Sequence, residues 1–115
     1  MPIIQWNIYI AEIGFIEENT SKLRPVIAIS EPVGEHNILL VAPIYSKKAD
    51  HKLKGDIPII DNYKDLGLMR PSTIRLHRIA PLPFIDLKEQ LGYASTEIQN
   101  AVVDELKKLF GLFSK

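Results

Sequence analysis

The sequence predicts a mainly β, α+β domain in which short antiparallel strands form a small, strongly curved barrel and a helix ends the chain. Several short runs alternate apolar and polar residues with the period of a strand, and turn-forming residues separate them. The last stretch changes to the 3.6-residue period of a helix. With 115 residues the chain is long enough for one hydrophobic core, so we expect a single domain over residues 1–115.

The predicted strands are short, apolar and bounded by turn residues; they cover residues 6–13, 24–29, 37–44, 57–60 and 72–79. Turn formers over residues 31–36 predict a hairpin connection slightly longer than the tight type. Pro43 predicts an edge position or a bulge in the third strand, and Pro58 predicts an edge position for the fourth, because proline cannot donate to a strand ladder.

The remaining segments are predicted from turn and helix signals. Residues 61–66 are expected to form a helical turn, with Asp61 as its cap and Gly67 at its end. Pro81 and Pro83 predict a rigid connection, and residues 87–92 a short turn.

The clearest helix begins near residue 96. Thr96 with Gln99 suits a capping box, and Ser95 is an equally good cap. An apolar stripe predicts that this helix packs across the sheet; it comprises Ile98, Ala101, Val102, Leu106, Leu109 and Phe110.

Composition excludes several function classes. Fourteen basic side chains balance fourteen acidic ones, so a nucleic-acid site has to be a local patch. The absence of cysteine excludes disulfides, a thiolate zinc site and a cysteine nucleophile, and the three histidines lack metal-ligand spacing. No apolar run reaches membrane-spanning length and the first residues do not resemble a signal peptide, so we expect a soluble, cytoplasmic protein without a cofactor or membrane contact.

Arg24 is the first candidate site residue. Proline fixes its own φ and biases the preceding residue toward the extended region, so Pro25 should hold Arg24 at the mouth of the buried run 26–29. A guanidinium held in one direction can bind a phosphate, although an isolated Arg-Pro is more often a solubilising charge before a core strand.

The second candidate is the basic segment 46–56, whose cationic residues are Lys47, Lys48, Lys52 and Lys54, with His51 beside them. Such a run is usually a solvated loop. The functional interpretation is an arm that contacts phosphates.

Four motifs in register resemble the MazF/PemK toxin family over nearly the whole chain. They are Arg24-Pro25 before an apolar strand, Ala-Pro-Ile-Tyr-Ser at 42–46, Gly-Leu-Met-Arg-Pro-Ser-Thr-Ile-Arg-Leu at 67–76, and Leu91-Gly92 before the last helix. The resemblance implies an SH3-like barrel, a homodimer, and a metal-independent, sequence-selective endoribonuclease that acts on single-stranded RNA. It also implies a cognate antitoxin protein as partner.

The resemblance assigns Arg24 to the scissile phosphate. Where the family often has a threonine whose hydroxyl lies near the same phosphate, this sequence has Tyr45, followed by Ser46. Ser46 can replace the threonine only if the strand ends or bulges there, because one residue of shift turns a side chain to the other face. Many relatives also carry Glu-Gln at the positions of His77-Arg78.

The catalytic candidates are therefore Arg24, Tyr45 and Ser46. The candidate RNA-binding residues are Lys22, Lys47, Lys48, His51, Lys52, His77 and Arg78. Cleavage of RNA without a metal needs proton transfer, and His51 and His77 are candidates because histidine exchanges protons near neutral pH. For either histidine, a surface position without catalytic duty is the simpler interpretation.

Three functions remain open from the sequence. The first is a ribonuclease toxin inhibited by an antitoxin that covers the Arg24 groove. The second is a catalytically weakened relative that only binds RNA or a protein, and the third is a structural barrel, since a fold by itself implies no activity.

Overall fold

The computed structural model describes residues 4–14, 21–46 and 53–112. These residues contain seven strands and one α-helix: β1 (Asn7–Ile13), β2 (Lys22–Ala28), β3 (Ile38–Tyr45), β4 (Asp56–Ile59), β5 (Ser72–Arg75), β6 (Ala80–Pro83), β7 (Leu87–Tyr93) and α1 (Thr96–Leu109). Three short 3₁₀ turns lie at Tyr63–Leu66, Leu76–Arg78 and Phe84–Asp86.

The strands form one antiparallel sheet in the order β4-β5-β3-β2-β1-β7, and β6 pairs separately with β3. The first half of β3 pairs with β6 and its last two residues pair with β5, so the sheet divides along this strand. The ladder does not close on itself. The α+β class and the terminal helix are confirmed, and "barrel" describes the sheet only loosely.

Two apolar cores lie on opposite faces of the sheet, because successive residues of a strand point to opposite sides. Ile27 and Ile44 belong to the larger core, against which Val102 of α1 packs. Val26 and Val41 belong to the smaller core on the other face. Since Arg24 and Tyr45 continue the alternation of Val26 and Val41, they lie at the open end of this second face.

The predicted fifth strand over 72–79 is wrong in its second half. The strand ends at Arg75, and residues 76–78 form a 3₁₀ turn that breaks the alternation. The rigid connection predicted around Pro81 and Pro83 is β6, which pairs with β3 alone and therefore tolerates prolines on its unpaired side.

The short turn predicted over 87–92 is also wrong, because residues 87–93 form β7 and pair with β1. The register between these strands shifts twice. Most of the β7 residues are exposed, so the segment lacks the apolar alternation from which strands are predicted.

The two strand prolines behave differently. Pro58 lies exposed on β4 at the edge of the sheet, as predicted. Pro43 is neither at an edge nor in a bulge, because β3 is an inner strand and its register with β2 is continuous. On one side of β3, the pairing with β6 ends at Val41 and the pairing with β5 begins at Ile44. Pro43 lies between these two ladders, where no backbone N–H is needed for pairing on that side.

The turn before β5 ends at Gly67 as predicted, with a left-handed φ of 80°. Asp61 is not its cap; the cap position is Asn62, which makes no side-chain capping bond. A Cβ added at Gly67 would overlap the Leu91 carbonyl, and one added at Gly92 would overlap the Leu66 carbonyl. The two glycines allow the turn and β7 to approach closely.

Helix α1 begins as one of the two alternatives predicted. Ser95 is the cap, and its hydroxyl accepts a hydrogen bond from the Ile98 N–H at 3.4 Å. Ile98 and Val102 are buried, which confirms the stripe facing the sheet. Phe110 is 67% exposed, because it lies at the end of the helix beyond the sheet. No helix in the described ranges is long and apolar enough to span a membrane.

Candidate active site

Arg24 and Tyr45 come together across the pair β2–β3. This ladder places Val26 opposite Pro43 and Ile27 opposite Ala42. Continued toward the strand ends, the same register brings Arg24 opposite Tyr45. The Arg24 Cζ atom lies 4.5 Å from the centre of the Tyr45 ring, within the range of a cation–π contact.

These side chains line a shallow pocket of about 180 Å³ at one end of the sheet. Strand β2 contributes its first four residues, and the end of β3, the residue after it and the first residue of β5 supply the rest. The lining residues are Lys22, Leu23, Arg24, Pro25, Ile44, Tyr45, Ser46 and Ser72. Two cations and three hydroxyl groups therefore surround a small opening, a composition suited to a phosphate group.

A second guanidinium lies close to the same ring. The Cζ atom of Arg75 is 5.1 Å from the Tyr45 ring centre. Strand pairing explains this position: β5 places Thr73 opposite Tyr45, and Arg75 lies two residues further along on the same face. The sequence predictions did not include Arg75 among the site residues. The feature that could have identified it is the strand alternation, which places Arg75 on the same face of β5 as Thr73.

Arg75 in turn lies opposite Asp56 in the ladder between β4 and β5. The Asp56 carboxylate is 1% exposed, and its Oδ1 atom is 3.9 Å from the Arg75 Nε and 3.8 Å from the His77 Nδ1. Asp56 was expected to belong to the solvated segment 46–56, but it is the first residue of β4 and is buried.

The predicted catalytic residues meet at one place. Tyr45 is half-buried against Arg24, and Ser46 follows the end of β3 as an exposed residue at the edge of the pocket. The described part of β3 contains no register shift, so the bulge is not found, but the strand ends at Tyr45, which is the other condition under which Ser46 can replace the threonine. Of the predicted RNA-binding residues, Lys22 lines the pocket.

The other predicted RNA-binding residues are only partly described. Lys47, Lys48, His51 and Lys52 lie outside the described residues. His77 and Arg78 lie in the 3₁₀ turn after β5, and among the described residues they do not line the pocket. His77 contacts Asp56, as given above. No group of three or more potential metal ligands is found in residues 4–14, 21–46 and 53–112.

Fold and site together define a small sheet domain with a cationic, hydroxyl-bearing pocket at one end. The family model of PemK-like, MazF-like toxins of type II toxin-antitoxin systems matches residues 4–110, so the chain belongs to this family. No curated protein matches the chain significantly.

Among solved structures, the chain is similar to the toxin MazF-mt6 of Mycobacterium tuberculosis, with 24% identity, a TM-score of 0.73, and coverage of 94% of this chain and 99% of that one. It is similar to a mycobacterial endoribonuclease in complex with its cognate antitoxin, with 14% identity, a TM-score of 0.73 and complete coverage of both chains. It is also similar to the MazE-MazF structure of Deinococcus radiodurans, with 16% identity, a TM-score of 0.67 and 97% coverage of each chain. At these identities the structures show the fold.

Proposed function

We propose that this protein is the toxin of a type II toxin-antitoxin pair and acts as a metal-independent endoribonuclease on single-stranded RNA. The observation that carries the proposal is the Arg24 guanidinium, 4.5 Å from the Tyr45 ring in a pocket lined by hydroxyl groups. Membership of the toxin family supports it independently.

The chemistry follows from what this pocket can stabilise. When a ribose 2′-hydroxyl attacks the neighbouring phosphate, negative charge accumulates on the phosphate oxygens in the transition state. Arg24 stays cationic and can donate two parallel hydrogen bonds to these oxygens, which gives it the role of transition-state stabiliser. Arg75, beside the same ring, adds a further positive charge.

Proton transfer needs a group near this charge. His77 is the candidate in the described part of the chain; it does not line the pocket, and its Nδ1 atom lies 3.8 Å from the Asp56 Oδ1. His51, which lies outside the described residues, is the other candidate. The Tyr45 and Ser46 hydroxyls are candidates for hydrogen bonding to the phosphate or the leaving oxygen.

The RNA strand is proposed to pass over the end of the sheet. Lys22 and Arg24 supply the cations at the pocket, and Lys47, Lys48 and Lys52, which lie outside the described residues, are proposed to add phosphate contacts. His77 and Arg78, in the 3₁₀ turn after β5, are proposed to contact flanking nucleotides.

The partners follow from the relatives. Two similar structures are described as an endoribonuclease with its cognate antitoxin and as MazE-MazF, so we propose that an antitoxin protein binds this chain. Its flexible segment would cover the Arg24 pocket. The family resemblance adds a homodimer as the working form.

The test is incubation of the purified chain with long single-stranded RNA in the presence of EDTA. Discrete cleavage products are expected, since none of the proposed steps uses a metal. A corresponding test in cells is induced expression of the chain, which should arrest growth unless the product of the adjoining gene is also expressed. Intact RNA at every enzyme concentration would contradict the ribonuclease function.

A second function is favoured by one specific observation. The Tyr45 ring lies against the very guanidinium that is assigned to the phosphate, so it can fill the space where the phosphate would sit. In that arrangement the protein would bind RNA or a protein partner without cleaving RNA efficiently.

Variants at Tyr45 separate the two functions. If the ring supports Arg24 or stacks on a base, Tyr45→Ala should weaken RNA binding by about 1–3 kcal/mol, and Tyr45→Thr should not restore cleavage. If the ring blocks the site, Tyr45→Thr should raise the cleavage rate above that of the parent. Because β3 ends at Tyr45, Ser46 also remains a candidate for the hydroxyl role; loss of cleavage in Ser46→Ala with little change in Tyr45→Phe would assign the role to Ser46.

A further inference from the structure

Asp56 is the one acidic side chain among the buried residues of the described chain. A buried carboxylate is strongly unfavourable unless hydrogen bonds or a counter-charge compensate the loss of water. Its Oδ2 atom accepts a hydrogen bond from the Leu53 N–H at 3.0 Å, which links it to the turn before β4. This bond accounts for only one of the two carboxylate oxygens.

The other oxygen, Oδ1, lies near both Arg75 and His77, whose Nδ1 atom is 3.8 Å away. Within the described residues, neither the Asp56 Oδ1 atom nor the Arg75 Nε atom has a hydrogen-bond partner, and the two are 3.9 Å apart. The distance is longer than a hydrogen bond but within the range of an ion pair. Because the β4–β5 register places the two residues directly opposite each other, the pair is part of the sheet geometry.

Arg75 carries this interaction to the proposed active site. Its guanidinium and that of Arg24 lie 5.1 Å and 4.5 Å from the centre of the same Tyr45 ring. Like charges that contact one ring repel each other, and a nearby buried anion offsets this repulsion. The contacts therefore run without a gap from Asp56 through Arg75 and Tyr45 to Arg24.

We propose that Asp56 is a positioning residue, which holds the Arg75 guanidinium on Tyr45 and thereby keeps Tyr45 and Arg24 in the geometry that cleaves RNA. The proposal rests on the ribonuclease function proposed above. The effect on cleavage that it predicts for the removal of Asp56 is opposite to the effect expected from the charge of Asp56 alone. Removal of a negative charge near a phosphate site should tighten RNA binding and favour cleavage, whereas loss of a positioning residue should slow cleavage even though the site becomes more positive.

The first variant is Asp56→Asn, with Asp104→Asn on the exposed face of α1 as the matched control. The asparagine oxygen can still accept the Leu53 N–H, so the turn is retained while the attraction to Arg75 is lost. We expect kcat to fall about tenfold or more, while the affinity for a 2′-deoxy oligonucleotide stays unchanged or rises. Asp104→Asn should behave as the parent. An Asp56→Asn chain that cleaves as fast as the parent, or faster, overturns the proposal.

The second variant is Arg75→Lys, which keeps the charge but loses the Nε atom and the planar group. It should reproduce the loss of kcat, and the double variant Asp56→Asn/Arg75→Lys should be no slower than either single variant, because both changes break the same contact. Independent losses that multiply in the double variant overturn the proposal. Arg75→Lys also decides the question if Asp56→Asn fails to fold.

A measurement without RNA separates this proposal from the ribonuclease function. The Arg75 Nε–H signal in the NMR spectrum of the parent is assigned by its loss in Arg75→Lys. Its chemical shift should be displaced from that of the exposed Arg70, and Asp56→Asn should reverse the displacement. A chain that shows this displacement and its reversal in Asp56→Asn, but leaves RNA intact, overturns the ribonuclease function and retains the role of Asp56 as the residue that holds Arg75. A displacement that persists in Asp56→Asn comes from the Tyr45 ring and overturns the proposal for Asp56. A signal at the exposed position overturns the proposal for Asp56, whether or not RNA is cleaved.

Discussion

Replacement of Arg24 by alanine should remove activity and leave the fold nearly intact. Arg24 lies within β2, two residues after its start, and its guanidinium lines the pocket and contacts the Tyr45 ring. Loss of this cation–π contact costs about 0.5–1 kcal/mol of folding free energy, and relief of the repulsion between Arg24 and Arg75 offsets part of it. For a domain of this size the melting temperature should therefore fall by only about 4 °C or less.

The effect on catalysis should be much larger. Removal of one donor that stabilises transition-state charge lowers the rate by about 10²- to 10³-fold, which corresponds to about 2.7–4 kcal/mol. Single-turnover cleavage of an RNA oligonucleotide in EDTA, measured beside thermal unfolding followed by circular dichroism, gives both quantities for one preparation. Arg70→Ala, which removes an exposed arginine from the loop before β5, is the matched control.

Two outcomes would refute this reasoning. If Arg24→Ala cleaves as fast as the parent, the pocket is not the active site. If Arg70→Ala loses as much rate as Arg24→Ala, the effect is one of general charge and not of a guanidinium held at the phosphate.

Two further predictions concern the basic segment and the close approach of the turn to β7. If Lys47 and Lys48 contact phosphates, their joint replacement by alanine should reduce the slope of log affinity against log salt by about 1.4. The same change at Lys107 and Lys108, in the last turn of α1, should leave the slope unaltered. Equal slopes in all three proteins would make the basic segment a solvated loop. Gly67→Ala should destabilise the fold by about 2–5 kcal/mol in urea unfolding, because it adds an overlap with the Leu91 carbonyl to the strain of a positive φ. Gly34 has a similar φ of 78° but open space around it, so Gly34→Ala should cost only about 1 kcal/mol. Similar losses at both glycines would contradict the role of the close approach.

Part of the fold could be predicted because local patterns and tertiary structure agree there. The first four strands are apolar runs bounded by turn residues, and the helix stripe at Ile98 and Val102 faces the sheet as its period requires. The prediction failed after Arg75, where local signals mislead. Proline discouraged a strand at 80–83, yet this strand pairs with one neighbour only.

The candidate site was predictable to a smaller extent. The Arg-Pro dipeptide and the family resemblance identified Arg24, and the strand ending at Tyr45 lies beside it. Arg75 and Asp56 were missed because the contact between them depends on the register of β4 against β5, which the sequence does not specify. Asp56 also follows a run of lysines, so it reads as part of a solvated loop although it is buried.

The chemical nature of the cleaved ends tests most directly whether the Arg24 pocket cleaves RNA through the ribose 2′-hydroxyl. The cut site is first mapped on long single-stranded RNA in EDTA, and an oligonucleotide containing that site is then cleaved and analysed by mass spectrometry, with and without a single 2′-deoxy substitution at the attacking ribose. We expect a 2′,3′-cyclic phosphate on one fragment, a 5′-hydroxyl on the other, and no cleavage of the deoxy substrate, because the attacking group has been removed. A 3′-hydroxyl end, or cleavage of the deoxy substrate at the same rate, would contradict the mechanism.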